Sequence, residues 1–133
     1  MTRVYAGIDL GGTNFRLGLR PAGPGDARLI ALESRPADGG WSPDDVVELV
    51  EETLVRVTRR SREPLQLAGL GMGLTGDIDC LSGVCHSMKR FPGLEGAPIR
   101  DLLQGQLGVP VHLLNDGLTA ALGELRAGAG QGV

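Results

Sequence analysis

The chain has 133 residues, of which 41% are hydrophobic, 22% charged and 3% aromatic, and its net charge is −3. This is the composition of an ordinary globular domain, and its mild acidity and few aromatic rings argue against a nucleic-acid surface. The chain has no apolar run of the roughly 20 residues that a membrane span needs, no signal-peptide pattern, and two cysteines, so we expect a cytoplasmic protein without membrane or nucleic-acid partners.

The first half of the chain is expected to form an antiparallel meander followed by a helix. Alternation of apolar with polar or small residues predicts three strands, over 3–10, 14–20 and 27–36. Ser42 can cap a helix and Pro43 suits its first turn. Because apolar residues follow at helical spacing, we predict a helix over 43–61.

The second half is expected to alternate strands with helices. A strand begins at 65, and every second residue of its middle is glycine, so something must pack closely against its bare face. Further elements are expected in this order: a short strand or hairpin arm over 82–88, a helix over 98–108, a strand over 109–116 and a helix over 117–127. Together they predict one α/β domain over 1–133, with a mixed five-stranded sheet, antiparallel strands 1–3 and flanking helices.

Residues 71–76, GMGLTG, match the G-x-G-x-x-G pattern of dinucleotide-binding sites. That fingerprint requires a helix to begin at the glycines, with its N-terminus facing a pyrophosphate. The residues that follow, DIDCLSGV, favour a turn and then a strand. We therefore assign no dinucleotide site here.

The bend of the first hairpin carries the sequence DLGGTN, which combines a carboxylate, two glycines and a hydroxyl. Gly11 and Gly12 leave backbone N–H groups accessible to an anion, and Thr13 and Asn14 add side-chain donors. Asp9 would repel a phosphate unless a divalent cation such as Mg²⁺ lay between them. The alternative is a tight hairpin in which Asp9 only bonds turn amides, and the residue types alone favour neither.

A second polar pair lies where the strand over 109–116 meets the helix that follows. Asn115 and Asp116 would stand at the carboxyl end of that strand, the edge at which α/β sheets bind ligands. Asp116 could instead cap the next helix. The two roles compete for the same carboxylate.

Both segments resemble those of known enzymes. DLGGTNFR resembles the first phosphate motif of the sugar-kinase, Hsp70 and actin superfamily of ATPases, and is similar to the corresponding stretch of hexokinases. NDGLTAALGELRAGAG resembles the ROK family, which includes bacterial glucokinases, N-acetylhexosamine kinases and sugar-responsive repressors. GLGMGLTGDID, SGV and FPGLEGAPIRDLL follow that family's order, so the resemblance covers essentially the whole chain. It implies the ribonuclease H-like fold of the actin/hexokinase superfamily.

The resemblance also implies a chemistry. The first bend would hold the phosphates of ATP, with Asp9 serving Mg²⁺ indirectly, and Asp116 would be the general base that takes the proton of a sugar hydroxyl. Asn115 and the backbone of Gly76 would position the hexose, for which glucose is the expected identity. Polyphosphate as the donor and other sugars as acceptors stay open.

The sequence departs from the ROK pattern at three places. Thr75 stands where the family usually has proline. The family's sugar-binding asparagine near Met88 is absent; Lys89 and Arg90 would favour an acidic or phosphorylated ligand or form a solvated basic pair. The second phosphate strand, the zinc motif and the adenosine pocket are not in this chain, so we expect the N-terminal lobe of a two-lobe kinase, without a zinc site and inactive without its C-terminal lobe, and a homodimer as ROK enzymes often form.

Two other functions compete with the kinase. The chain could be the sugar-sensing half of a ROK repressor, although only a short segment precedes Asp9 where such repressors carry a DNA-binding motif. It could also be a non-catalytic half-domain, which would not need both Asp9 and Asp116.

Four further side chains are given structural roles. Cys80 and Cys85 are expected to be ordinary buried or half-buried thiols. His112 is expected to have its hydrogen bonds satisfied within the fold. Trp41 is expected to anchor its loop rather than to bind sugar.

Overall fold

The computed structural model describes residues 1–11, 13–23 and 28–115. In chain order the elements are β1 (Thr2–Leu10), β2 (Asn14–Pro21), β3 (Ala31–Pro36), α1 (Pro43–Arg59), β4 (Leu65–Leu74), β5 (Asp77–Asp79), β6 (Val84–Ser87), a 3₁₀ turn (Pro92–Leu94), α2 (Ile99–Leu107) and β7 (Val111–Leu114). None of the helices in these residues is both long and apolar enough to cross a membrane. The helix expected over 117–127 lies outside the described residues.

Five strands form one mixed sheet in the order β3-β2-β1-β4-β7. β1, β2 and β3 pair antiparallel with their neighbours, whereas β4 runs parallel to β1 and β7 parallel to β4. The predicted meander followed by parallel strands is therefore confirmed. β5 and β6 pair with each other in a separate two-stranded sheet, which is the arm expected over 82–88.

The core lies on one face of the sheet, beneath the two helices. Alternation along β1 directs Ile8 and Leu10 into this core, where they join Val50 and Leu54 of α1. Asp9, between them in sequence, is consequently directed to the opposite face of the sheet. The alternation of the strand thus places the Asp9 carboxylate outside the core, at the end of β1.

The start of α1 is fixed by a capping box. Ser42 Oγ accepts a hydrogen bond from the Asp45 amide at 3.1 Å, and Asp45 Oδ2 accepts one from the Ser42 amide at 2.8 Å. Near the other end, Arg56 Nη2 lies 2.7 Å from Glu33 Oε1, which joins α1 to β3. This hydrogen bond from Arg56 lowers the pKa of Glu33.

Two strand boundaries differ from the prediction because pairing, not local pattern, sets them. β3 begins at Ala31 rather than at residue 27, since its register with β2 runs from Leu19 opposite Ala31 to Asn14 opposite Pro36. β7 ends at Leu114 rather than at residue 116, since its last partner on β4 is Gly73. Neither change moves a strand to another place in the sheet.

The glycines at alternate positions of β4 lie on the face opposite the core. Gly69, Gly71 and Gly73 are all buried although they have no side chain. This face of the strand is therefore covered, as expected, and how closely it is packed stays a prediction. A bulky residue at these positions would have to displace whatever lies against them.

The two thiols differ more than expected. Cys85 on β6 is buried, and burial raises its pKa to about 11. Cys80 is exposed, so the expectation of a buried or half-buried thiol is wrong there. It lies in the turn between β5 and β6, where no sheet covers it.

We therefore expect a thiol reagent at about pH 8 to modify Cys80 and spare Cys85. A thiol with a pKa near 11 is thiolate in only about one molecule in a thousand at that pH, and the thiolate is the reactive form. Trypsin leaves both cysteines on the peptide 63–89, so fragmentation of that peptide in the mass spectrometer after a short reaction locates the label. Cys85 should react once denaturant is added, and equal labelling of both thiols in native buffer would contradict the burial of Cys85.

Candidate active site

The first hairpin closes on a bend at the carboxyl end of β1. The Gly11 amide donates a hydrogen bond to the Asn14 carbonyl at 3.0 Å, and Asn14 Nδ2 donates to Thr13 Oγ1 at 3.2 Å. The Ala37 amide donates to the Thr13 carbonyl at 2.9 Å, so the segment after β3 supports the bend from outside. Gly12, the second glycine of the predicted phosphate site, lies outside the described residues.

The Asp9 carboxylate lies beside this bend and is half-buried. A Cβ added to Gly11 would be 3.8 Å from Asp9 Oδ1, so the carboxylate and the first glycine adjoin each other. Within the described parts of the chain Asp9 accepts no hydrogen bond and forms no ion pair. The alternative in which Asp9 bonds turn amides therefore receives no support from the structure.

A carboxylate that no described residue engages, beside a glycine bend, fits a divalent cation. Residues 1–11, 13–23 and 28–115 contain no group of three or more His, Cys, Asp or Glu side chains that could enclose a metal. Magnesium at Asp9 would therefore take most of its ligands from water and phosphate, which is how this ion usually binds beside nucleotides. The donor set is compatible with an indirect role for Asp9.

The carboxyl ends of β1, β4 and β7 lie side by side at one edge of the sheet. Asp9 pairs with Gly73, and Gly73 pairs with Leu114. Neighbouring strands are about 4.8 Å apart, so the ends of β1 and β7 are about 10 Å apart. Asn115 follows β7 directly and is exposed. The bend and Asn115 thus share one edge, separated by a glycine, while Asp116 lies outside the described residues.

β4 leaves the sheet through a turn at Gly76, where φ is +150°. A Cβ at Gly76 would collide with Met88 Sδ and lie 3.0 Å from the Ser87 carbonyl oxygen, so this position requires glycine. No helix begins after the glycines of 71–76, because β5 follows the turn. The rejection of a dinucleotide fingerprint is confirmed.

The Gly76 turn forms one wall of an open cavity of about 330 Å³. Its other wall comes from the segment after β6. The lining residues are Thr75, Gly76, Asp77, Ser87, Lys89 and Arg90. The Thr75 amide donates to the Leu10 carbonyl at 3.4 Å, which connects the cavity to the end of β1. The resemblance placed both Gly76 and the loop near Met88 beside a sugar, and the structure shows that Gly76, Lys89 and Arg90 line one cavity.

An aromatic cluster joins the bend to the second wall of this cavity. Trp41 meets Phe15 edge-on, with ring centroids 6.4 Å apart, and stacks on Phe91 with centroids 6.5 Å apart. A Cβ on Gly39 would lie 2.9 Å from the Arg90 carbonyl, so the loop that carries Trp41 also touches the backbone of that wall. The anchoring role expected for Trp41 is confirmed. Its ring contacts two segments, one at Phe15 and one at Phe91.

The expectation that His112 has its hydrogen bonds satisfied fails at one of its two ring nitrogens. Its Nε2 atom is buried, and it has no hydrogen-bond partner among the described residues. His112 is on β7, and Arg100 and Gln104 of α2 help to line the same cavity of about 400 Å³. The apolar strand pattern gave no indication that this imidazole would be left unsatisfied.

Comparison with known proteins gives consistent results. The sequence model of the ROK family matches residues 5–133. The glucokinase of Thermotoga maritima is 32% identical over 126 residues, which cover 95% of this chain and 38% of that enzyme.

Solved structures show the same fold. The ROK hexokinase from Thermus thermophilus has a TM-score of 0.71 and 32% identity, with coverage of 97% of this chain and 40% of that one. A ROK family transcriptional regulator, a homolog of the E. coli MLC protein, has a TM-score of 0.72 at 18% identity. The match covers 100% of this chain and 33% of the regulator, and at this identity it shows a shared fold alone. The chain spans about two fifths or less of the length of these relatives. The expected actin/hexokinase fold is confirmed.

Proposed function

The chain belongs to the ROK family, and from this premise we propose that it forms the N-terminal lobe of an ATP-dependent hexose kinase with glucose as its acceptor. The observation that carries the proposal is the shared edge of the sheet, which has the Asp9 bend at one side and Asn115 at the other. A regulator with the same fold would not need Asp9, which no hydrogen bond in the described residues engages. Relatives at 32% identity are named glucokinase and hexokinase.

The bend binds the phosphates of ATP in this proposal. The Gly12 amide and the side chains of Thr13 and Asn14 donate to phosphate oxygens. Gly11, whose own amide is bonded to the Asn14 carbonyl, lets the backbone approach the phosphates closely. Asp9 orients the water shell of Mg²⁺, and that ion, when bound, supplies neutralising charge for the transferring phosphoryl group.

In this proposal the sugar binds at the opposite side of the same edge of the sheet. Asp116 accepts the proton of the attacking hydroxyl, because a neutral alcohol is a poor nucleophile. Asn115 and the Gly76 backbone hold the hexose so that this hydroxyl faces the phosphate. We assign Asp116 from its place in the sequence directly after Asn115.

Binding of Mg-ATP to the chain tests the phosphate half of the proposal. In a ¹⁵N-labelled sample, Mg-ATP should shift the amide resonances of Gly11, Thr13 and Asn14. Asp9→Asn should weaken this binding roughly tenfold or more, as expected when a residue that orients a metal's ligands is removed. Asp44→Asn removes the same charge from the exposed first turn of α1 and should leave the affinity unchanged.

Two results would contradict this assignment. Shifts confined to other surfaces would remove the bend from the nucleotide site. Equal affinities for the Asp9→Asn and Asp44→Asn variants would remove Asp9 from it. Tripolyphosphate in place of ATP distinguishes a nucleotide donor from a polyphosphate donor.

We further propose that the 133-residue chain alone has negligible kinase turnover. It spans 38% of the length of the Thermotoga maritima glucokinase, so it supplies one wall of a cleft whose remaining contacts come from elsewhere. A coupled assay with ATP and glucose measures this directly, and robust turnover would refute it. A cytoplasmic location and a homodimer stay predictions from the sequence.

A further inference from the structure

The cavity beside Gly76 carries two positive side chains to which the proposed function gives no role. Lys89 and Arg90 line this cavity and are both exposed. In the described part of the chain neither side chain makes an ion pair or a hydrogen bond. The cavity therefore presents one ammonium and one guanidinium group, neither of which has an acceptor among the described residues.

The lining of the cavity has two positive side chains and one carboxylate, Asp77. Asp77 forms no ion pair with Lys89 or Arg90 among the described residues. Glu95, the next acid along the chain, does not line the cavity, and its Oε1 accepts a hydrogen bond from the Met88 amide at 3.1 Å. The lining residues themselves therefore have an excess of one positive charge.

The backbone that carries the two cations is held in place on both sides. Met88 before them is fully buried, and so is Phe91 after them. Phe91 stacks on Trp41, and Gly39 packs against the Arg90 carbonyl. A basic pair fixed at a cavity in this way loses less freedom when it binds a ligand than one on a mobile loop.

We propose that this cavity binds a hexose that carries a carboxylate or a phosphate group. The anionic group lies against Lys89 and Arg90, since guanidinium and ammonium groups pair with both kinds of oxyanion. The uncharged hydroxyls lie against Thr75, Ser87 and the Gly76 backbone. A volume of about 330 Å³ is in the range of small-molecule sites. This inference rests on the proposed function: it keeps a hexose kinase and replaces glucose, as the acceptor at this site, with an anionic hexose.

Titrations of the ¹⁵N-labelled chain at low ionic strength test this inference. The probes are glucuronate, glucose 6-phosphate, glucose and inorganic phosphate. We expect glucuronate or glucose 6-phosphate to shift the amide resonances of Gly76 and residues 87–90, with an affinity about tenfold above that of glucose. The ratio of the two anionic affinities identifies the preferred group.

Two double variants distinguish binding by the cavity's side chains from an effect of the net charge of the protein. Lys89→Gln with Arg90→Gln should abolish the preference for the anionic sugars. Arg59→Gln with Arg62→Gln removes the same charge and should preserve it. Arg59 and Arg62 are exposed and lie near Pro64 in sequence. The Pro64 carbonyl accepts a hydrogen bond from the Thr2 amide, so this segment lies at the amino end of β1, whereas the cavity lies at the other end of the strand. Unchanged spectra outside 87–91 verify that the first variant is folded.

Three outcomes overturn the inference: glucose binds as tightly as the anionic sugars, inorganic phosphate alone shifts the same resonances as strongly, or both double variants behave alike. Mg-ATP added to the same samples reports on the proposed function separately. Shifts at the bend together with binding of glucose would leave the kinase in place and remove only the anionic substrate. Binding of an anionic hexose without any response of the bend to Mg-ATP would remove the kinase.

Discussion

Replacing Asp116 with asparagine in a complete protein that contains this chain should lower kcat for hexose phosphorylation by about 10²–10⁴-fold. The amide cannot accept the proton that the hydroxyl loses as it attacks phosphorus. It keeps the size of the carboxylate and can still donate to or accept from the sugar. The dissociation constant of the sugar, measured by calorimetry, should therefore change little.

The same variant decides between a base and a helix cap. Asparagine caps helices about as well as aspartate, so loss of a cap cannot explain a fall in turnover of Asp116→Asn. Unchanged turnover would assign Asp116 to a cap and remove it from the chemistry. Asp101→Asn, on the exposed first turn of α2, is a matched control in which kcat should be unaffected.

Replacing Trp41 with alanine should lower the free energy of unfolding by about 3 kcal/mol, measured by urea denaturation. The indole loses an edge-on contact with Phe15 and a stacked contact with Phe91, and each such pair contributes about 0.5–1.5 kcal/mol beyond the apolar area it buries. Leu81→Ala is the control, because Leu81 is 91% exposed and its truncation should cost less than about 0.5 kcal/mol.

The chemical-shift changes caused by Trp41→Ala should also be concentrated in two segments of the chain. Amide resonances should move at both the Thr13 bend and residues 89–91. Leu54→Ala in the core of α1 should cost a similar free energy with a different pattern of shifts, because its contacts start from α1, whereas the ring contacts of Trp41 reach Phe15 and Phe91. Identical shift patterns for the two variants would mean that Trp41 contributes to stability alone.

Much of the fold could be predicted because its signals are local. The alternation of β1 and β2 around a glycine bend, and the Ser42 cap of α1, depend on neighbours within a few residues. Strand ends were less accurate, since β3 and β7 extend only as far as β2 and β4 provide partners. The place of Asn115 at the edge followed from the parallel strand that precedes it.

The remaining parts of the site depend on contacts between distant segments. The resemblance associated the loop near Met88 with the sugar, but the residue pattern alone did not indicate that Met88 packs against Gly76 or that Lys89 and Arg90 line the same cavity. The burial of His112 Nε2 without a hydrogen-bond partner among the described residues likewise results from packing, as does the difference in exposure between the two thiols. Composition and periodicity carry no information on which loops meet.

The aromatic cluster gives this protein a built-in optical probe. Trp41 is the sole tryptophan, so intrinsic fluorescence comes from a single indole with known neighbours. One of its ring partners, Phe15, adjoins the hairpin bend, and the other, Phe91, follows Arg90. Emission from one unlabelled chromophore can therefore report on changes at the hairpin bend and at the segment that lines the cavity beside Gly76. Phe15→Leu and Phe91→Leu would show which of the two gives each component of the signal.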